Sequence, residues 1–390
     1  MIDINLISFL VLLTIILALI FLGFAELYLH RNALSKIPIR IHVNGIRGKS
    51  SVVRLIASGL REGGLKTYAK TTGTIPRIIN NKGKDVGLHR LRSASIGEQI
   101  KLMRYFAKQS IDALVIECMA VNPQYQWTSE HRIVNSTLGV ITNVRRDHID
   151  EMGTTANQIA SSISNTIPFN SKVITSENKH FNLFKDIAEK RNTEIENSEI
   201  LDITKEYLNN FPYLEHPENI KLALKVCQEL GVKKDIALEG MLKTNPDPGA
   251  LLIWDIINKN KKNQFVSAFA ANDPDSTLKV WDLIKEKTKN KKCIFLNTRE
   301  DRRYRTIQLI DLIYAEIKPD LLIVRANNVT SLINEYQDKI DLKVFDMSAS
   351  QDDIIDYIIN LNQFFVVGVG NIVGWGDHFL EKLKKYYAHA

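Results

Sequence analysis

Apolar positions fall into three stretches with different periods. Residues Ile4 to Ala25 carry no charge, and apart from Asn5, Ser8, Thr14 and small residues they are large and apolar. The run is apolar on every side, which predicts a helix surrounded by lipid; about 20 such residues cross a bilayer core. An amphipathic surface helix would show a polar face. A signal peptide would start basic, unlike Met-Ile-Asp-Ile-Asn, and would have a shorter apolar region. A core helix of a globular domain is the remaining alternative. Arg31, Lys36 and Arg40 follow the run and no cation precedes it. That asymmetry predicts a single-pass anchor over 1–36, with the N-terminus outside and the body in the cytoplasm.

From residue 37 to 247 short β-branched runs alternate with 3.6-period patterns. Ile39, Ile41 and Val43 predict a strand, and Val52, Leu55, Ile56, Gly59 and Leu60 a helix that stops at Gly63-Gly64. Tyr68 to Arg77 reads as a strand ending in a hydroxyl- and glycine-rich turn, Asn80 to Arg92 as an exposed polar stretch, and Ile96 to Phe106 as a helix. Ile111–Glu117 and Thr137–Thr142 are further strands, and an amphipathic helix runs from His216 to Gly231. Thr244 to Ala250 is a turn-rich linker. Five strand patterns then alternate with helices: Gln264 to Ala270, Lys292 to Asn297, Leu321 to Arg325, Leu342 to Met347 and Gln363 to Val369. The expected fold is α/β: an N-terminal transmembrane helix, a domain over 37–247 with a mainly parallel sheet, and a smaller α/β domain over 248–390.

Composition narrows the classes. A chain of 390 residues is long enough for two domains and an appendage. The 51 basic and 44 acidic residues give +7, which suits anionic substrates and falls short of a nucleic-acid footprint. Cys118, Cys227 and Cys293 are far apart, so neither a disulfide scaffold nor a structural zinc is expected.

The chemistry gathers around Asn44-Gly45-Ile46-Arg47-Gly48-Lys49-Ser50-Ser51. A strand, a glycine turn, Lys-Ser and a helix make a phosphate cradle. Glycines let backbone N–H groups approach an anion, the helix start adds partial positive charge, Lys49 neutralises outer phosphates and Ser50 can hold Mg²⁺. The common P-loop has a glycine where Val43 stands, so this is a shortened form. Glu117, at the carboxyl end of its strand, is placed to complete the Mg²⁺ site; the alternative is an exposed strand-end acid.

The shortened loop resembles that of the Mur ligase superfamily, the ATP-dependent amino-acid ligases. Asn143-Val-Arg-Arg-Asp147-His148-Ile-Asp150-Glu-Met-Gly153 is similar to that superfamily's Asn-x-x-x-Asp-His-x-Asp-x-x-Gly segment. The resemblance implies that His148 lies at a second metal and the acyl phosphate, against a structural histidine. It implies an adenine contact for Asn219, against simple capping. Ala268 to Asp275, Thr298 to Arg303 and Gly368 to Asn371 resemble loops of the C-terminal Mur domain. On that basis Arg302 reaches the nucleotide, or else belongs to an exposed ion-pair cluster.

Departures matter too. The metal-bridging Lys of the superfamily has no counterpart in Ala160-Ser161-Ser162-Ile163-Ser164, the linker Pro-Gly-Arg is Pro248-Gly249-Ala250, and Ala268 replaces an Asp. A membrane segment stands where cell-wall ligases carry a uridine-nucleotide domain. Together these resemble the ligase family of poly-γ-glutamate synthesis (PgsB/CapB type). The resemblance implies glutamate and a poly-γ-glutamate chain as substrates, ATP with Mg²⁺ (Mn²⁺ as a substitute), a membrane location, small membrane subunits for polymer synthesis and export, and no nucleic acid. A folylpolyglutamate synthetase, a tethered P-loop kinase or ATPase, and a nucleotide-sensing scaffold are the alternatives.

Overall fold

The computed structural model describes the chain except residues 1–3, 73–75, 89–95, 199–201, 212, 214, 247–250, 252, 270, 328–339, 373 and 388–390. The turn at Gly73–Ile75, part of the polar stretch before Arg92, Ala270, and the linker residues Asp247–Ala250 therefore lie outside the described residues. By internal packing the chain forms two units. Unit 1 comprises Met1–Val144, His148–Asp202 and Glu218–Asn245; unit 2 comprises Arg145–Asp147, Ile203–Pro217 and Pro246–Ala390.

Unit 1 begins with α1 (Ile4–Ser35), one continuous helix that runs well past the apolar stretch. Its Ser8–Ser35 portion is long and apolar enough to cross a membrane. The end of α1 belongs to the domain core. Ala33, Leu34 and the following Ile37 pack with Leu102, Met103 and Phe106 of α3 (Ile96–Ala107). His30 Nε2 lies 2.9 Å from the Ile133 carbonyl oxygen. Arg40, read above as a flanking cation, is a clamp: its guanidinium donates to the carbonyls of Leu34, Ile37, Val134 and Asn135. Burial accordingly pulls its pKa down.

A prediction follows from this packing. Deleting residues 1–25 should leave the unfolding midpoint unchanged. Deleting 1–37 removes the buried Leu34 and Ile37, worth about 3–6 kcal/mol, and should lower the midpoint by roughly 6–20 °C. Equal midpoints in a thermal melt would show that α1 ends as a mere tether.

The sheet of unit 1 has eight strands in the order β4-β3-β2-β5-β1-β6-β7-β8. They are β1 (Ile39–Asn44), β2 (Thr67–Thr71), β3 (Arg77–Ile79), β4 (Asp85–Gly87), β5 (Ala113–Glu117), β6 (Leu138–Ile141), β7 (Lys172–Thr175) and β8 (Glu194–Asn197). All neighbours pair in parallel except the β2-β3-β4 meander. β1 and β5 are buried on both faces, as parallel strands covered by helices must be. α2 (Lys49–Glu62) follows the glycine turn and buries Val52, Leu55, Ile56 and Leu60. The polar stretch read as exposed contains β4, whose Asp85 takes a bidentate bond from buried Arg54 of α2 at 2.8 and 3.1 Å. Neither β7 nor β8 was expected, because four-residue runs such as Lys-Val-Ile-Thr carry too little period to stand out.

Unit 2 holds a six-stranded sheet, β13-β12-β11-β14-β10-β9. β10 (Lys261–Ser267), β11 (Lys291–Asn297), β12 (Leu321–Arg325), β13 (Asp341–Phe345) and β14 (Phe364–Gly370) match the five expected strands. β9 (Ile253–Asn258) adds an antiparallel edge that the sequence reading missed. Alternation on β11 divides the core: Ile294 and Leu296 face one hydrophobic cluster, Cys293 and Phe295 the other.

Candidate active site

The cradle is built by β1, α2 and the end of β6. Gly45 has φ 129° and Gly48 φ 78°, backbone that favours glycine. At Gly45 an added Cβ would fall 2.1 Å from Thr142 Oγ1, and at Gly48 2.6 Å from Asn219 Oδ1. Gly48→Ala should therefore push Asn219 off the loop and weaken ATP binding at least tenfold, while the left-handed backbone at this position costs about 1–2 kcal/mol of stability. Titration with a fluorescent ATP analogue tests this; unchanged affinity would show that the close approach has no function.

The loop is clasped from β6. Asn143 accepts from the Arg47 N–H through its side chain (3.1 Å) and from the Ile46 N–H through its carbonyl (3.1 Å). The Arg47 carbonyl accepts from Thr142 Oγ1 (2.7 Å) and Asn143 Nδ2 (3.0 Å). The first Asn of the Asp-His motif, given no role by sequence, thus shapes the phosphate loop. Lys49 Nζ donates to the carbonyls of Gly45 (2.8 Å) and Ile46 (3.3 Å), within the cradle. Ser51 lies in the first turn of α2.

Glu117 is buried, not an exposed strand-end acid. Its Oε2 accepts from Ser50 Oγ (2.8 Å) and from the Thr72 N–H (2.7 Å). A hydroxyl and a carboxylate from different elements meet beside Lys49, a pair of hard oxygens whose chemistry fits a Mg²⁺ ion.

Asn44 departs from its expected place in the nucleotide site. Its buried side-chain amide donates inward to Gln126 Oε1 (2.9 Å) and Thr166 Oγ1 (3.1 Å), so it fixes the root of the loop. Asn219, near the start of the helix Pro217–Glu229, stands against Gly48.

His148 is exposed, has φ 51° and starts the short helix Ile149–Met152. Glu177 steadies the approach to it by accepting from the Val144 N–H at 2.7 Å. Asp147, counted with unit 2, is buried and accepts from Arg305 Nη2 at 2.7 Å. Among the described residues no three His, Cys, Asp or Glu side chains form a metal cluster. Ser50 and Glu117 are brought together, and His148 does not join them in such a group. The helix Ala156–Ile163, like the Ala160–Ser164 stretch, carries no lysine.

Two buried groups escaped the sequence reading. His42 Nδ1, in β1, and Glu130 Oε2 lie 2.7 Å apart and are both buried. Burial opposes the imidazolium, but hydrogen bonds to Cys118 and Glu130 outweigh it and raise His42 to about 10. Lys70 of β2 is fully buried, 3.8 Å from Glu98. A polar residue inside a β-branched run was the available signal for both.

In unit 2 the carboxyl ends of β11, β12 and β14 form a second polar group. Arg325 donates to Asn297 Oδ1 (3.1 Å) and stacks on Trp375 at 4.2 Å. Asn297 Nδ2 donates to the Asn371 carbonyl at 2.7 Å. In the loop read as Gly-Asp-Arg-like, Arg299 grips Asp301 at 2.7 and 2.9 Å, and exposed Arg302 lies 3.9 Å from the same carboxylate.

Comparison with known proteins places the chain in a family. Residues 43–225 match the Mur ligase middle domain and residues 253–386 the poly-gamma-glutamate synthase CapB C-terminal domain. PGA synthase CapB of Bacillus subtilis (strain 168) is 36% identical over 373 residues, covering 94% of this chain and 95% of that protein. The capsule biosynthesis protein CapB of Bacillus anthracis is 34% identical over 377 residues, covering 94% and 80%. Among solved structures, E. coli FolC in complex with ADP is similar with a TM-score of 0.70 at 15% identity, covering 92% of this chain and 93% of that one. The Yersinia pestis folylpolyglutamate synthase/dihydrofolate synthase complexed with AMPPNP and Mn ion gives 0.69 at 14% identity, covering 92% of each. At such identities these two share the fold alone, so the folate-enzyme alternative rests on architecture. The chain belongs to the poly-gamma-glutamate synthase CapB family of ATP-dependent amide ligases.

Proposed function

We propose that this chain polymerises glutamate through γ-amide bonds, with ATP as phosphoryl donor and a γ-glutamyl phosphate as intermediate. A γ-carboxylate oxygen of glutamate attacks the γ-phosphorus of ATP, and the bond to the β-phosphate oxygen breaks to release ADP. The amine of another glutamate then attacks the acyl carbon, loses a proton and expels phosphate. Either the free amino acid or the chain end can supply the carboxylate. Such chemistry asks for positioning and charge neutralisation rather than a protein nucleophile.

The observation that carries this reading is the Ser50–Glu117 contact beside the Gly45–Gly48 cradle. Loop N–H groups and Lys49 hold the β- and γ-phosphates, the ammonium exchanging its two carbonyl partners for phosphate oxygens. Ser50 and Glu117 hold Mg²⁺ or Mn²⁺, which when bound offsets phosphate charge. The N–H of Thr72, just past the end of β2, keeps Glu117 aimed. Asn219 is assigned to the adenine, Arg302 to the nucleotide, and His148 to the acyl phosphate or a second metal. Asn44 shapes the loop from below.

α1 supports a membrane location. Its apolar run spans the membrane and its basic flank keeps the body cytoplasmic. Small membrane subunits are assigned to synthesis and export of the polymer.

The test is phosphate release from ATP by membranes holding this protein and its partner subunits, with Mg²⁺, with and without glutamate. A parallel sample contains hydroxylamine. Glutamate-dependent release with γ-glutamyl hydroxamate in the trap is expected. Release indifferent to glutamate would overturn the ligase reading in favour of a plain ATPase, and absence of the hydroxamate would remove the acyl phosphate.

A further inference from the structure

The membrane helix does not leave its domain free to tumble, and the way it is held brings a second surface to the bilayer. Glu26 is the first charge after the apolar run. It pairs with Arg104 of α3 at 2.6 Å, and Arg104 also donates to the Glu26 carbonyl at 3.4 Å. α3 is therefore pinned to α1 at the depth where apolar sequence ends.

Helical spacing then decides what else lies at that depth. Residues three and four apart share a face, so Lys101, Tyr105 and Lys108, the last just past the end of α3, flank Arg104 along one stripe. All three are exposed, while Leu102, Met103 and Phe106 face the core. On α1, Tyr28 (70% exposed) and Leu29 (50%) remain uncovered, and exposed Arg31 follows. From Glu26 to Arg31 the helix rises about 7 Å, close to the thickness of one headgroup layer, about 6 Å.

We propose that the Lys101–Tyr105–Lys108 face of α3, together with Tyr28 and Arg31, is an interfacial surface that docks on anionic lipid headgroups of the membrane that α1 crosses. Tyrosines seat an apolar ring and a polar tip at the interface. The lysines extend into the negatively charged layer on flexible stems. Continuity with α1 fixes the occupant as lipid, and the cationic stripe makes it anionic lipid. The docked face would hold unit 1 in one orientation over the membrane. This inference rests on the reading of α1 as a membrane span.

The full-length chain is reconstituted in vesicles without any other protein. The three native cysteines are buried, so a single environment-sensitive dye is attached in turn to Leu17→Cys in α1, Tyr105→Cys in α3 and Lys234→Cys, an exposed position elsewhere on unit 1. Quenchers are placed in lipid headgroups or in acyl chains. Expected are acyl-chain quenching at 17 and headgroup quenching at 105 well above that at 234. The signal at 105 should be strong in vesicles with phosphatidylglycerol and weak in phosphatidylcholine alone. With Lys101→Gln and Lys108→Gln together, the docked-to-undocked ratio should fall about 10–30-fold at low salt, and less at high salt. Quenching at 17 with equal signals at 105 and 234 would overturn the docking surface. Equal quenching at 105 in neutral and anionic vesicles would overturn the role of charge. No lipid quenching at 17 would instead remove the membrane span.

Discussion

Replacing Lys49 by Ala is expected to lower glutamate-dependent phosphate release by roughly 10²–10³-fold, the usual cost of removing one preorganised charge-stabilising donor. The unfolding midpoint should stay within about 2 °C of the parent. The separation of the two effects comes from where the side chain sits. Its ammonium is only partly buried and donates to two carbonyls of the same loop, Gly45 and Ile46. Those carbonyls keep water as an alternative partner, whereas phosphate oxygens bound in the cradle would lose a cation. Single-turnover phosphate release and a thermal melt on the same preparation measure both. Near-parent turnover would remove the P-loop from the reaction.

Glu130→Ala is expected to have the largest effect of any single substitution on stability, about 3–5 kcal/mol, because it leaves the buried partner of an ion pair alone. Glu130 Oε2 meets His42 at 2.7 Å, and Oε1 accepts from both the N–H and the hydroxyl of Ser136. Replacing His42 and Glu130 together by Leu should recover much of the loss, since an apolar pair leaves no orphaned charge. Denaturant melts of both variants measure it, and a single variant as stable as the parent would contradict the pairing.

The pH dependence has a definite sign. Burial works against the Glu130 carboxylate, but His42 and Ser136 outweigh it and hold its pKa below the ordinary 4.5. Its contribution is therefore present above 4.5 and is lost as the pH falls. His42 is raised from 6.5 to about 10, so its contribution is complete below 6.5 and fades as the pH rises through about 10. The difference between parent and Glu130→Ala should be greatest between these limits and shrink on either side.

Much of this was legible in sequence because the signals are local. A β-branched strand, two glycines, Lys-Ser and an amphipathic helix fall within one short window, and β1, the loop and α2 form as that window predicts. Glu117 could be placed because a buried strand announces its own carboxyl end. What stayed hidden depends on contacts between distant segments. Asn143 reaches the loop across the sheet, Asn44 turns inward to Gln126 and Thr166, and Glu130 meets His42 from a π-helical turn, Ser129–Val134. A hydrophobic pattern shows which face is buried and not which polar groups meet there. The edge strand β9 stayed unread for a related reason: edge strands bury only part of their length, and its pattern is mixed.

The continuity of α1 into the core gives the helix two regions with different tolerance for length. A residue inserted among Ile4–Ala25 would add about 1.5 Å to an apolar rod, which tilt can absorb. The same insertion between Glu26 and Ala33 would turn one end against the other by about 100°. It would break phase between the Glu26–Arg104 bond and the buried Ala33, Leu34 and Ile37. Sequence drift in this protein should therefore tolerate apolar exchanges and small changes of length among Ile4–Ala25, and be locked in helical phase from Glu26 onward.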